Sequence, residues 1–119
     1  MNDLQTARVL RAASIYLQTR GWIQYELGSN GGPRCMGGAI CSATGLDEIA
    51  VKGSYDSDTI LHICAVLGFE NFGVGRWNDQ PGRTIEEVLD RLESTALALE
   101  VRALAAETPA ESKPELVPA

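Results

Sequence analysis

Three residues have side chains that could together carry out nucleophilic chemistry: Cys35, His62 and Asp79. Cys35 follows a proline-led turn and opens a predicted helix beside Arg34, and both features lower a thiol pKa and favour the reactive thiolate. His62 is the only histidine, so any Cys–His dyad must use it, with Asp79 or Asn78 as the group that orients it. The alternative is that Cys35 is a small apolar residue at a crowded packing point, and the sequence favours this alternative.

The cysteines and the histidine also include enough side chains for a zinc site, but their spacing argues against one. In a helix over residues 35–44, Cys35 and Cys41 point about 240° apart around the axis. His62 and Cys64 diverge by about 200° on the next helix. We therefore expect no metal and no cofactor, and we expect the three cysteines to be free thiols.

A second group of candidates lies in the connecting segments and predicts a binding surface. Three arginines in these segments would hold an anion if the fold clustered them. The glycine-rich stretches near them match neither a P-loop nor a dinucleotide fingerprint. The segment WND, 77–79, is typical of a structural staple, because its tryptophan is large enough to fix a loop on the core. The predicted binding residues are Arg34, Arg76, Trp77, Asn78, Asp79 and Arg83.

Hydrophobic periodicity and capping signals predict a mainly α fold of about four helices that positions these residues. The helices are expected over residues 2–19, 35–44, 56–67 and 84–106. A short strand or hairpin is expected near 22–27, and 68–83 has neither a helical nor a strand period. Residues 1–107 are predicted to form a single domain, followed by a disordered tail over 108–119, which is rich in proline. The expected core residues are Leu10, Leu17, Trp22, Ala39, Ile40, Leu61, Ala65, Trp77, Leu89 and Leu92.

The last predicted helix carries the clearest pattern in the chain. Thr84 and Glu87 have the spacing of a capping box. Apolar residues then follow at heptad-like steps of four and three, and the helix is about 30–35 Å long, more than a domain of this size easily covers. The pattern predicts a homodimer through this helix. The predicted dimer-interface residues are Leu92, Ala96, Leu99 and Ala103.

Composition narrows the class of protein. Sixteen acidic residues against ten basic ones give a net charge of −6, which disfavours nucleic-acid binding. No apolar run approaches the roughly 20 residues of a bilayer-spanning helix, and no secretion signal is evident. We expect an acidic cytoplasmic protein that does not bind membranes.

The chain resembles an uncharacterised family of small bacterial and phage proteins over roughly residues 7–97. The shared features are a tryptophan before a hairpin-like stretch, a Cys-x-x-Gly-Ala helix start, and Trp-Asn-Asp followed by Pro-Gly-Arg-Thr and Glu-Val-Leu. They are found here at Trp22, 35–40, 77–79, 81–84 and 87–89. The resemblance implies that the Cys35 helix and the WND segment belong to one packed feature, and it implies no established activity.

Together these observations predict a non-enzymatic protein-protein interaction module. Its partner would be another protein, and a phage or accessory origin would suit a protein that modulates a host protein. The alternative is a Cys35-dependent enzyme or redox-responsive protein. Burial and inertness of Cys35 would oppose that alternative.

Overall fold

The computed structural model describes residues 1–45, 58–70 and 73–107. Within these ranges the chain forms five helices and confirms the mainly α fold. Their bounds are α1 Asp3–Arg20, α2 Met36–Ala43, α3 Asp58–Val66, α4 Gly73–Asn78 and α5 Ile85–Glu107. The predicted helices over 2–19, 35–44 and 84–106 agree with α1, α2 and α5 to within one residue at each end. The predicted start of the third helix at 56 and the tail over 108–119 lie outside the described residues.

Capping side chains set the starts of the two long helices. Asn2 Oδ1 accepts the Gln5 N–H at 2.8 Å, and Gln5 Oε1 accepts the Asn2 N–H at 2.8 Å, which completes a capping box at α1. The predicted box at α5 also forms. Glu87 Oε1 accepts the Thr84 N–H at 2.9 Å, and Thr84 Oγ1 accepts the Glu87 N–H at 3.2 Å. Local sequence therefore determines where both helices begin.

Helices α1 and α5 form an antiparallel pair that contains much of the core. Ser14 on α1 donates to Glu93 on α5, whereas Asp3, near the start of α1, pairs with Arg102, near the end of α5. The buried residues of this pair recur at steps of three and four along both helices, as apolar packing of two helices requires. They are Ala7, Leu10, Ala13 and Leu17 on α1 and Val88, Leu92, Ala96 and Leu99 on α5.

One expectation for the connecting segments is wrong, and the short strand or hairpin near 22–27 is reduced to isolated bridges. Residues 73–78 form the short helix α4 rather than a segment without period, since fewer than two turns are too short for a hydrophobic repeat to show. Over 22–27 no regular strand forms in the described part of the chain. Trp22 and Gly28 make only isolated bridges to Arg34, so this stretch is an extended loop folded back on the residues that precede α2.

The third helix faces the core with a different side from the one predicted. Ile60, Ile63 and Cys64 are buried, whereas Ala65 is exposed and Leu61 is only partly buried. Residues 60, 63 and 64 have helical spacing, so they share a face, and Ala65 lies about 100° beyond Cys64 around the axis. Of the other predicted core residues, Leu10, Leu17, Ala39, Ile40 and Leu92 are buried, and Trp22, Trp77 and Leu89 pack against the core while partly exposed.

Candidate functional site

Asn78, the last residue of α4, is fully buried and forms a polar node. Its Oδ1 accepts the Trp22 indole N–H at 2.6 Å and the Met36 backbone N–H at 3.0 Å. Its Nδ2 donates to the Ile23 carbonyl at 3.2 Å and to Asp79 Oδ1 at 2.9 Å. One amide side chain therefore joins the loop after α1, the start of α2 and the end of α4. The contact with Met36 is the link between the Cys35 helix and the WND segment that the resemblance implies.

The neighbours of Asn78 hold the extended loop over residues 22–28 in place. Gln24 Nε2 donates to the carbonyls of Asn78 and Gln80, each at 3.0 Å. Asp79 Oδ1 accepts the Tyr25 N–H at 2.8 Å. Tyr25 has φ of 69°, a left-handed conformation that is uncommon for a residue other than glycine. The Asp79 contact therefore fixes a strained backbone position whose aromatic ring is exposed.

Cys35 is the N-cap of α2, and its Sγ accepts the Gly38 N–H at 3.4 Å. The side chain is 4% exposed and lines a pocket of about 200 Å³. The other lining residues are Tyr25, Glu26, Leu27, Gly75 and Asp79. The structure therefore brings Cys35 and Asp79 to one pocket.

Burial raises the pKa of the Cys35 thiol. The backbone N–H groups of Gly38 and Gly37 lower that pKa by a smaller amount, and the negative charge of Asp79 raises it. Desolvation therefore outweighs the expected lowering of the pKa by the N–H groups at the helix N-terminus. Burial likewise raises the pKa of the Cys64 thiol to about 11.

His62 lies away from this pocket. It is exposed on α3, and its charge contributes to the lowered pKa of Asp3, whose main cause is the hydrogen bond from Arg102. Asp3 begins α1, whereas the Arg34 N–H beside Cys35 donates to the Gly21 carbonyl just beyond the end of α1. An 18-residue helix is about 27 Å long, so Cys35 and His62 lie near opposite ends of α1 and do not form the dyad on which the alternative hypothesis depends.

Arg34 is buried and holds the loop against α2. Its Nη1 donates to the Gly38 carbonyl at 3.2 Å and to Ser42 Oγ at 2.8 Å. Gly38 permits this packing, because a Cβ there would lie 2.6 Å from the Leu27 carbonyl oxygen and 3.0 Å from the Arg34 side chain. Both contacts are shorter than a Cβ normally makes, so the close approach of loop and helix requires glycine.

The other predicted binding residues separate into structural and exposed positions. The Arg83 guanidinium stacks 3.9 Å from the centre of the Trp77 ring, and its Nε donates to the Trp77 carbonyl at 2.9 Å. Phe69 packs on the same ring at 5.7 Å between centroids, and Arg91 stacks on Phe69. Arg76 is exposed on α4. Trp77 thus fixes the α4–α5 connection, as expected of a staple, and sequence reasoning missed the part that Arg91 plays in it.

The predicted interface residues of α5 lie mainly inside the chain. Leu92, Ala96 and Leu99 are buried against α1, and Ala103 is partly exposed. Leu92, Ala96 and Leu99 are covered by α1 because the antiparallel pair closes over them. They are therefore not exposed to a second copy, which corrects their assignment to a dimer interface.

A different face of the same two helices is exposed and apolar. Leu97, Val101 and Leu104 on α5 are 56%, 59% and 65% exposed, and Ile15 on α1 is 60% exposed. Leu4 is also exposed. We call these five residues the outer face. The spacing of four and three on α5 was visible in the sequence as a second stripe. Leu97, Val101 and Leu104 each lie five residues, or about 140° around the helix axis, beyond a member of the first stripe.

Residues 1–45, 58–70 and 73–107 contain neither a membrane-spanning helix nor a metal-binding cluster. No helix there is long and apolar enough to cross a membrane. The same residues contain no group of three or more His, Cys, Asp or Glu side chains that could hold a metal ion.

The fold and the site define a small, mainly α protein with a buried polar node at one end of α1 and an exposed apolar face along α1 and α5. The chain belongs to a family of unknown function (DUF6197), whose model matches residues 1–98. The match includes α1 to α4 and Leu97, whereas Val101 and Leu104 lie beyond it. No curated protein and no solved structure matches the chain.

Proposed function

We propose that this protein is a non-enzymatic protein-protein interaction module that binds a protein chain through the outer face. The observation that carries the proposal is the distribution of exposed apolar side chains. Among the large hydrophobic residues that are exposed in the described part of the chain, all except Tyr25 belong to α1, to α5 or to Met1 just before α1. Scattered exposed hydrophobics are ordinary, but a grouped set indicates a binding surface.

The spacing of these residues favours a helical partner. Leu97, Val101 and Leu104 follow the i, i+4, i+7 pattern with which one helix packs on another. Ile15 and Leu4 are exposed on the neighbouring helix α1. An amphipathic helix packs on such a surface through apolar side chains of matching spacing. Polar side chains lie between these apolar residues, including the Arg11–Glu100 ion pair at 2.7 Å, and would give the contact orientation and specificity.

The biological setting belongs to the same proposal. We place the protein in the cytoplasm, as a bacterial or phage accessory protein that modulates a host protein. The support for this part is the similarity of the Cys-x-x-Gly-Ala, Trp-Asn-Asp and Pro-Gly-Arg-Thr segments to those of small bacterial and phage proteins.

Site-specific photo-crosslinking in bacterial cells tests whether the outer face is bound. A photoreactive phenylalanine analogue replaces Val101 in one variant and Ala65, exposed on α3, in a matched control. We expect discrete crosslinked bands at position 101 and none at position 65 on denaturing gels. The proposal fails if position 101 gives no adduct, or if position 65 gives the same adducts with equal yield.

A further inference from the structure

We infer that the partner of the outer face is a second copy of this chain, packed about a two-fold axis that runs parallel to α1 and α5. This inference rests on the proposed function, since it names the partner of the same face. It differs from a dimer through Leu92, Ala96 and Leu99, which the chain itself covers.

Contacts between α1 and α5 fix which residues lie at the same height along the pair. Ser14 Oγ donates to Glu93 at 2.7 Å, and Arg11 donates to Glu100 at 2.7 Å and 2.9 Å. The Ser14–Glu93 contact places Ile15 near the height of residue 92, and the Arg11–Glu100 contact places it near residue 96, so Ile15 lies within about one and a half turns of Leu97 along the pair. Leu4 lines a surface pocket together with Ala103, Ala106 and Glu107, which places it near the height of Leu104.

A two-fold axis parallel to the helices brings these heights together across the interface. It places α1 of one copy over α5 of the other, in antiparallel orientation and without a shift along the axis. Ile15 of each copy then meets Leu97 of the other, and Leu4 meets Leu104. The four helices form an antiparallel bundle, an arrangement in which each helix needs two apolar faces. Helix α5 has both, the buried seam and the outer stripe.

Charge on the face favours this pairing of unlike helices. Arg8 and Arg11 lie on the α1 side, since residues 4, 8, 11 and 15 share one face of a helix. Glu93 and Glu100 lie on the α5 side, one turn on either side of Leu97. Packing α1 on α5 places arginines over glutamates, whereas α1 on α1 or α5 on α5 would oppose like charges. The surface is therefore complementary to itself, which is the requirement for an interface between identical chains.

The size of the face predicts a weak dimer. From Leu4 to Ile15 the face extends about 17 Å along α1, and two helices side by side are roughly 20 Å wide. This footprint, roughly 340 Å², is less than half of the about 800 Å² per partner that specific protein interfaces commonly bury. We therefore expect a dissociation constant in the micromolar range and association that depends on concentration.

Sedimentation equilibrium from about 5 to about 500 µM measures this association directly. We expect the wild-type mass to rise from one 12.8 kDa chain towards two with increasing concentration. Leu97→Glu should weaken association at least about tenfold, because it places a charge in the apolar contact and beside the acidic α5 side chains. Ala98→Glu is the matched control. It adds the same charge to the next exposed residue of α5, which points about 100° away, and should leave association unchanged.

A mixing experiment tests the pairing of α1 with α5. Ile15→Lys and Leu97→Glu should each be monomeric alone, because each homodimer would bury two unpaired charges. In an equimolar mixture, a heterodimer has one native Ile15–Leu97 contact and one lysine–glutamate pair. We expect the mixture to regain the two-chain mass, and circular dichroism should show that both variants are folded.

Three results would overturn the inference: a wild-type mass of one chain at every concentration, equal loss in Ala98→Glu and Leu97→Glu, or a mixture that stays monomeric. The crosslinking test separates this failure from failure of the proposed function. Adducts at position 101 with twice the chain mass support the second copy, whereas adducts only with a different protein overturn it and leave the binding function standing.

Discussion

In the region near the C-terminal end of α1 a polar side chain is buried and fully hydrogen-bonded, whereas in the region along the length of α1 an ion pair lies at the surface. Near the end, Asn78 is fully buried, and both of its side-chain polar atoms have two hydrogen-bond partners. Along the helix, Arg11 and Glu100 pair at the surface between exposed apolar side chains. The first region is complete within one chain, whereas the second leaves apolar area in water. The comparison predicts that substitutions in the node change the stability of the chain and that substitutions in the outer face change binding.

Replacing Asn78 should have the largest effect on folding. Asn78→Ala removes the acceptor of the Trp22 indole N–H and of the buried Met36 N–H and leaves both donors unpaired, which we expect to cost about 3 kcal/mol. Urea denaturation followed by circular dichroism measures the loss. Trp22→Phe, which removes one of these donors and keeps the acceptor, should cost only about 1 kcal/mol. Equal losses in the two variants would show that Asn78 is not the centre of the node.

Adding one methyl group at Gly38 should cause the second-largest loss of stability. Its Cβ would lie 2.6 Å from the Leu27 carbonyl oxygen, so the loop must move away from α2. We expect Gly38→Ala to cost about 2 kcal/mol, the range for overpacking against backbone. Among the residues that the structure describes, a Cβ at Gly73 meets only Phe69, at 3.7 Å, so Gly73→Ala should be nearly neutral in the same denaturation experiment. A neutral Gly38→Ala would contradict the close approach.

Alkylation tests whether Cys35 belongs to the buried region around Asn78. Its thiol is buried, and burial raises its pKa, so little thiolate is present near neutral pH. We expect iodoacetamide to modify native Cys35 at least about tenfold more slowly than a free cysteine, and the urea-unfolded chain should lose this protection. Peptide mass spectrometry locates the modified residue. Selective modification of native Cys35 at the rate of a free thiol or faster would revive the Cys35-dependent enzyme.

Acid should weaken the α1–α5 contact by a smaller amount. Hydrogen bonds from Arg11 and Arg102 lower the pKa of Glu100 and of Asp3, respectively. Stability from these pairs is therefore present above the ordinary carboxyl pKa of the unfolded chain and is lost as the pH falls through the lowered folded values. The Leu97→Glu variant is the background, because it is expected to be monomeric and therefore separates this effect from association. In that background, Arg11→Gln should lower the urea midpoint more at about pH 6 than at about pH 3. A difference that grows with acidity would contradict this assignment.

Local signals in the sequence predicted the helices but not the contacts of the node. The Asn2–Gln5 and Thr84–Glu87 boxes act within one turn, so residue types alone place α1 and α5. Asn78 and Trp22 are 56 residues apart, and no local pattern indicates that the indole N–H and the amide oxygen meet. The Cys35–His62 dyad failed for the same reason, because its distance depends on how α2 and α3 pack around α1.

The apolar pattern of α5 predicts a packing surface, and the fold confirms this. The predicted partner of that surface, a second copy of the chain, is wrong, because α1 covers it. The residues Leu92, Ala96 and Leu99 require a partner helix, and either α1 or a second copy satisfies the pattern. Only the fold shows that α1 takes this position. Because α1 covers the first stripe, the exposed second stripe at Leu97, Val101 and Leu104 becomes the candidate surface for a partner.

The concentration dependence of unfolding tests most directly whether the outer face binds a second copy. A chain that unfolds from a dimer is stabilised by mass action, so its urea midpoint rises with protein concentration. We predict that the wild-type midpoint rises between about 5 and about 500 µM, that Ala98→Glu follows it, and that the Leu97→Glu midpoint stays constant. A wild-type midpoint that does not change across this range would contradict the account.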